Sequence, residues 1–240
     1  MKWKNTATLA AAFLASTAAH AQSAGSNTAG IGWLHIAPLT SSDPLVAGGS
    51  AVPDTGATVD NADTLGLTFT HFFTDDIAVE AVGGIPPKFK FSGTGMLASS
   101  SINPLGDVRQ WSPAVVLKYY FNHPESKWRP YVGIGVSYIW FTNAHVNPAF
   151  QQMLSLQMTQ GATAGSPTSA HVESEWSPVF NAGLTYNFEK HWSIVASVSW
   201  LPFGTKVNLS TALPNGQTVH SEAKVKLDPL VTLVSVNYRF

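Results

Sequence analysis

The stretch TLGLTFTHFF, Thr64 to Phe73, alternates with period two. Leu65, Leu67, Phe69, His71 and Phe73 fall on one face, and Thr64, Gly66, Thr68 and Thr70 on the other. Successive side chains of an extended chain point to opposite sides, so this spacing predicts a strand with one apolar face and one small, polar face.

The same two-faced pattern recurs along the chain. In IAVEAVGGI, Ile77, Val79, Ala81, Gly83 and Ile85 oppose Ala78, Glu80 and Val82. RQWSPAVVLKYYF sets Trp111, Pro113, Val115, Leu117, Tyr119 and Phe121 against Gln110, Ser112, Lys118 and Tyr120. RPYVGIGVSYIWF sets Val132, Ile134, Val136, Tyr138 and Trp140 against Arg129, Gly133, Gly135 and Ser137. EWSPVFNAGLTYNF and HWSIVASVSW repeat it, with Trp176, Phe180 and Leu184, then Trp192, Ile194 and Trp200, on the apolar sides. The last strand puts Thr232, Val234, Val236, Tyr238 and Phe240 against Ser235, Asn237 and Arg239. AGIGWLHIAP, Ala29 to Pro38, makes an eighth strand whose two faces are too alike to assign.

Composition narrows the solvent. Hydrophobic residues make up 45% of the 240 positions and charged residues only 11%, against roughly 25% charged in soluble domains. A formal net charge of -1 leaves no basic footprint for nucleic acid, and the absence of cysteine excludes disulfides and thiolate metal sites. No segment of the mature chain offers a run of apolar residues long enough for a spanning helix. The opening MKWKNTATLAAAFLASTAAHAQ places Lys2 and Lys4 before an apolar stretch and ends in Ala19, His20, Ala21. It predicts an export signal over residues 1–21 and a mature barrel domain over residues 22–240.

Eight such strands could build a soluble sandwich or a small closed barrel with the apolar face inward. Two features favour an all-β, eight-stranded, antiparallel, up-and-down transmembrane barrel instead. The apolar faces begin and end in aromatics, as from Trp111 to Phe121 or Trp192 to Trp200. Ten residues at about 3.3 Å rise, tilted by about 40°, span roughly 25 Å, the apolar band of an outer-membrane barrel between its aromatic girdles. The connections also alternate in length. Leu39 to Ala62, Lys88 to Asp107, Thr142 to Val172 and about Ser210 to Thr218 are long; Thr74 to Asp76, Asn122 to Lys127 and Glu189 to His191 are short. Long extracellular loops and short periplasmic turns are what such a barrel needs.

In the third long loop, Phe150, Met153, Leu154 and Gln157 have the spacing of a short helical face, suited to a cap over the barrel mouth or to an ordinary surface helix. Four histidines near the loop side, His35, His145, His171 and His220, lack the spacing of a metal site, and no nucleophile motif is present. Neither a metal, a cofactor nor an enzymatic role is expected.

An eight-stranded lumen is just wide enough for side chains to fill it. Glu80 and Lys118 each lie four residues from a short turn, on neighbouring strands and facing inward, with Arg129, Asn187, Asn237 and Arg239 in the same layer. They predict a polar plug in the lower half, with Glu80 paired to Lys118 or to an arginine, because an unpaired interior charge is costly. Higher up, the inward positions turn apolar: Val82, Val116, Ile139, Phe141, Val179, Leu201 and Phe203. These either fill an upper core or line an apolar channel. Pro86 and Pro87 interrupt the third strand and Pro113 sits on the fourth. Proline cannot donate to the ladder, so a lateral opening in the wall is expected there.

Together these stretches resemble the OmpW family of outer-membrane proteins, including its alkane-uptake AlkL branch. The resemblance rests on residues 61–90, 129–141, 175–188 and 227–240, and WLPFGTKV, 200–207, is similar to the alkane-uptake members in particular. It implies an extended extracellular part, uptake of small hydrophobic solutes and their lateral release into the outer-membrane lipid, with Pro86 at the family's strand-three proline. A terminal Phe240 preceded by alternating apolar residues also resembles the signal read by the barrel assembly machinery. The expected function is therefore passive uptake of small hydrophobic molecules. The alternative is a structural or surface-interaction barrel whose loops bind a host factor, phage or toxin.

Overall fold

The computed structural model describes residues 23–47, 50–99, 101–158, 167–213 and 216–240; the expected export signal lies outside the described residues. Eight strands form the barrel: β1 (Asn27–Ala37), β2 (Ala62–Phe72), β3 (Ile77–Gly84), β4 (Ala114–Tyr120), β5 (Trp128–Val146), β6 (Glu175–Asn187), β7 (Trp192–Trp200) and β8 (Leu230–Arg239). Each pairs antiparallel with its successor, and β8 returns to β1 from Thr28 opposite Arg239 to Ala37 opposite Leu230. Closure leaves no free edge, as a bilayer requires of backbone that water cannot satisfy.

Side chains sort by face as the alternation dictates. Ile31, Leu67, Val115, Ile134, Phe180, Val198 and Val236 point outward and exposed, while Thr70, Lys118, Ser137, Thr185 and Ser235 are buried inside. Aromatics gather at both ends of the outer wall. Trp128 packs on Tyr186 and Trp192 on Tyr238 near the short turns, and Trp111 stacks on Trp140 and Tyr138 packs on Trp176 at the other end. These rows mark the two membrane interfaces. The structure also settles β1: Ile31 and Trp33 face out, Thr28 and Gly30 face in. Gly30 lies so close to Thr68 and Asn237 that a Cβ would collide with both side chains.

The long connections are less loop-like than their composition suggests. Much of them continues the wall as strands, over Thr55–Val59, Lys88–Gly95, Gly106–Trp111, Thr168–Val172, Gly204–Ala212 and Thr218–Lys226, joined by the upper half of β5. The barrel thus extends well beyond the outer girdle. The Phe150 segment is a helix, α1 (Pro148–Met158). Its N-terminus is capped by Asn147, whose Oδ1 accepts from the Ala149 amide at 2.9 Å, with Pro148 at the first helical position. Phe150 and Leu154, four residues apart and so on one face, bury against Leu45, Leu97, Ile102, Leu105 and Leu209.

The transition between barrel and extension falls at the proline pair. Below it, Ile85 is outward and exposed; above it, Pro87 and Phe89 point inward. Two odd-numbered positions thus face opposite ways, so the alternation slips by one residue, as at a β-bulge. The ladder records the slip: Val82 faces Ala114, whereas Lys88 faces Arg109, one residue out of step. Without it Phe89 would face lipid and Lys88 the interior.

Candidate solute path

The lower lumen is a charged and aromatic floor. Glu80 on β3 accepts from the Thr70 hydroxyl at 2.9 Å and pairs with Lys118 on β4 at 2.5 Å. The Lys118 ammonium lies 4.2 Å from the centre of the Tyr131 ring. Below them Arg129 stacks over Tyr120, donates to the Asp75 carbonyl at 2.6 Å and lies 3.7 Å from the Asp76 carboxylate, so it is tied to the Thr74 to Asp76 turn. Tyr120, Tyr131, Phe72, Ala78 and Val195 pack around these charges. Asn237 and Arg239 also face the lumen from β8, and Asn237 accepts from the Ser235 hydroxyl at 2.7 Å. Of the six residues expected in this layer, Glu80, Lys118, Arg129, Asn237 and Arg239 are buried here, while Asn187 is half-buried and donates to the Ser126 carbonyl at the turn. Sequence reading missed Tyr131 and Phe72, the rings that fill the space between the charges; their inward parity was the available signal.

Above the floor the interior turns apolar. Val116, Ile139, Val179, Leu201 and Phe203 are buried in one cluster with Ile36, Phe89, Val108 and Leu227, and Phe141 packs against it. Of the expected lining residues, Phe141 and Phe203 border a small cavity above this cluster. An eight-stranded barrel is narrow enough for inward side chains from facing strands to meet and fill it.

The open space lies higher, within the extension. A cleft of about 100 Å³, open on one side to solvent, is walled by Leu45, Phe91, Leu97, Val146, Phe150 and Leu209 among others, with Asp43, Asp107 and His145 among its few polar residues. A much smaller cavity, of about 10 Å³ and so with room for about one water, lies against Ile36, Phe89, Phe141, Phe203 and Leu227. Phe91 and Val108 border both, so the two are stacked on a shared wall. Sequence reading missed this lining because it comes from many short segments with no common motif.

Beside the smaller cavity the backbone ladder is broken. Between β2 and the β3 wall, bonds run up to the Ile85 amide on the Leu65 carbonyl and resume only at the Asp60 amide on the Lys90 carbonyl. On the other side of the same segment they stop near Val82 opposite Ala114 and resume where the Gln110 amide meets the Pro87 carbonyl. Pro86, Pro87 and Pro113 lie in these gaps, and none can donate. Phe89 and Gln110, which border the cavity, flank the break.

A closed, two-girdle strand barrel with an apolar outer wall is an integral outer-membrane protein. The chain belongs to the OmpW family, whose model matches residues 23–240. It is 32% identical over 229 residues to outer membrane protein W of Salmonella typhimurium, covering 95% of this chain and 97% of that one. It is 29% identical over 199 residues to outer membrane protein AlkL of Ectopseudomonas oleovorans, covering 82% and 74%. Among solved structures it resembles the outer membrane protein OprG from Pseudomonas aeruginosa, with a TM-score of 0.77 and 26% identity over 92% of this chain and 98% of the other.

Proposed function

We propose that this barrel passes small hydrophobic molecules passively from the cell exterior into the outer membrane. The observation that carries the reading is the vertical order of environments: an apolar cleft, a narrow apolar gap beneath it that shares Phe91 and Val108, a charged floor below, and a ladder break at the level of the gap. An apolar solute gains by leaving water for the cleft, at about 25 cal/mol per Å² of surface buried. Travel straight down would take it past the Glu80–Lys118 pair, which offers nothing to replace lost apolar contact. The break beside Pro86 and Pro87 opens instead toward lipid, a solvent as apolar as the cavity. Kinship with the OmpW family, AlkL included, supports the same direction of traffic.

Uptake by cells of a strain lacking its own such protein tests this. A series of alkanes, aromatics and small polar solutes should enter in order of apolarity, and Pro86→Ala should lower uptake of the apolar members if the restored amide lets the wall zip closed. Uptake indifferent to polarity would sink the apolar path. Unchanged uptake by a well-folded Pro86→Ala variant would remove the lateral exit at that proline.

A further inference from the structure

Just above the outer girdle the wall carries a charge pattern that does not balance itself. Arg109 and Lys88 face each other directly across neighbouring strands, and both point outward because Val108, Phe89 and Gln110 point in. Like charges directly opposite destabilise a sheet. In the same row, Arg109 is flanked on its other side by Thr142, and Lys88 by the ladder break, so no carboxylate shares the row. One rung higher, Lys90 faces Asp107, which reaches down to Lys88 at 2.9 Å. Asp60 lies beside Lys90, its amide bonded to the Lys90 carbonyl. Among the described residues no carboxylate comes within ion-pair distance of Arg109 or Lys90.

The height of this row is fixed by its neighbours. Trp111 and Trp140, paired in register and stacked with ring centres 5.7 Å apart, face out one rung below. Two residues along a strand advance about 6.6 Å. On strands tilted by about 40° Arg109 and Lys88 therefore stand about 5 Å beyond the aromatic belt and Lys90 about 10 Å, at the depth of lipid headgroups. In the outer leaflet of a bacterial outer membrane those headgroups are phosphorylated glycolipids.

We propose that Arg109, Lys88 and Lys90 form a binding site for the phosphate of an outer-leaflet glycolipid of the lipid A type. The guanidinium takes a phosphate in two parallel hydrogen bonds, and the ammonium groups add point charges from the neighbouring strand. The lipid's acyl chains then run down past the Trp111–Trp140 stack and Ile85, so its headgroup sits over the upper lip of the ladder break. This site depends on the outer-membrane location and not on the uptake reading.

Native mass spectrometry of the folded, full-length barrel in zwitterionic detergent tests the proposal, with bisphosphorylated lipid A, dephosphorylated lipid A and inorganic phosphate as probes. The wild type should retain the phosphorylated lipid in preference to the dephosphorylated one. R109Q/K88Q should weaken that binding by about 25-fold, about fivefold for each cation at the surface. K206Q/K224Q is the charge-matched control: these lysines also oppose each other in register, but Glu173 and Asp43 flank them through backbone bonds. It should bind as the wild type does. R109Q/K88Q removes a like-charge pair and one solvent-exposed ion pair, Lys88–Asp107, of small worth, so it should fold, shown by its heat-dependent gel mobility; R109Q alone, if the double variant fails, should still lose about fivefold. Three results would overturn the site: undiminished preference in a folded R109Q variant, equal loss in the control, or displacement of the lipid by an equal concentration of inorganic phosphate.

Discussion

The Lys118 ammonium and the Glu80 carboxylate meet at 2.5 Å inside the barrel, both side chains almost wholly buried. They come from adjacent strands but not adjacent rungs: Glu80 faces Val116, and Lys118 faces Ala78. The diagonal lets each long side chain reach the other while Thr70 and Tyr131 fill the remaining directions. Glu80→Gln leaves a buried cation without its counter-charge and should cost about 3–5 kcal/mol in urea unfolding from vesicles. E80L/K118M should recover most of that loss. A single variant as stable as the wild type would show that water, and not Glu80, satisfies the lysine.

Tyr131 reaches across the lumen because its neighbour on β6 has no side chain. A Cβ on Gly183 would run into the Tyr131 ring and hydroxyl. Gly183→Ala should therefore destabilise by about 1–3 kcal/mol, the ordinary cost of overpacking. Adding Tyr131→Leu should suppress the effect. Failure of that rescue in an unfolding titration would mean the clash lies with Ser197 instead.

Helix α1 is held by few anchors. Phe150→Ala removes the ring that α1 seats among Leu97, Leu105 and Leu209, and should loosen the helix by about 3–5 kcal/mol. Since Phe150 packs among residues of the extension and not of the membrane band, the heat-dependent gel shift of the barrel should persist while limited proteolysis cuts near the helix. A simultaneous loss of both would tie the helix to barrel folding.

Val207 lines the larger cleft from the strand Gly204–Ala212. Val207→Asp places a carboxylate on an apolar wall, and a solute must then desolvate it. Alkane uptake should fall by roughly tenfold, equivalent to about 1.4 kcal/mol of lost partition energy. A matched Val207→Thr should lose less. Equal uptake by all three proteins would separate the cleft from the path.

Much of the barrel could be read from the chain, and the reason is solvent. Strands such as β2 and β7 have lipid on one side and a packed polar lumen on the other, so their residues divide cleanly by parity. The extension has water outside and a mixed cleft inside, and strands such as Ser-, Thr- and Gly-bearing Gly204–Ala212 carry too little contrast to declare themselves. Glu80 and Lys118 were foreseeable as partners because parity and distance from a turn fix depth and direction together. The cleft was not, since its lining is assembled from short segments on many strands. The slip at Pro86 was a further obstacle: alternation carried upward from Val79 puts Phe89 on the wrong side.

That slip makes the wall behave like a reading frame. From Ile77 to Ile85 odd positions meet lipid; from Pro87 onward they meet the apolar interior of the extension. A chain lacking one residue here would keep every strand and every side chain, yet turn Phe89 and Phe91 toward the membrane and bring Lys88 and Lys90 into the cleft. Two neighbouring prolines thus hold the phase that separates a greasy funnel from a charged one.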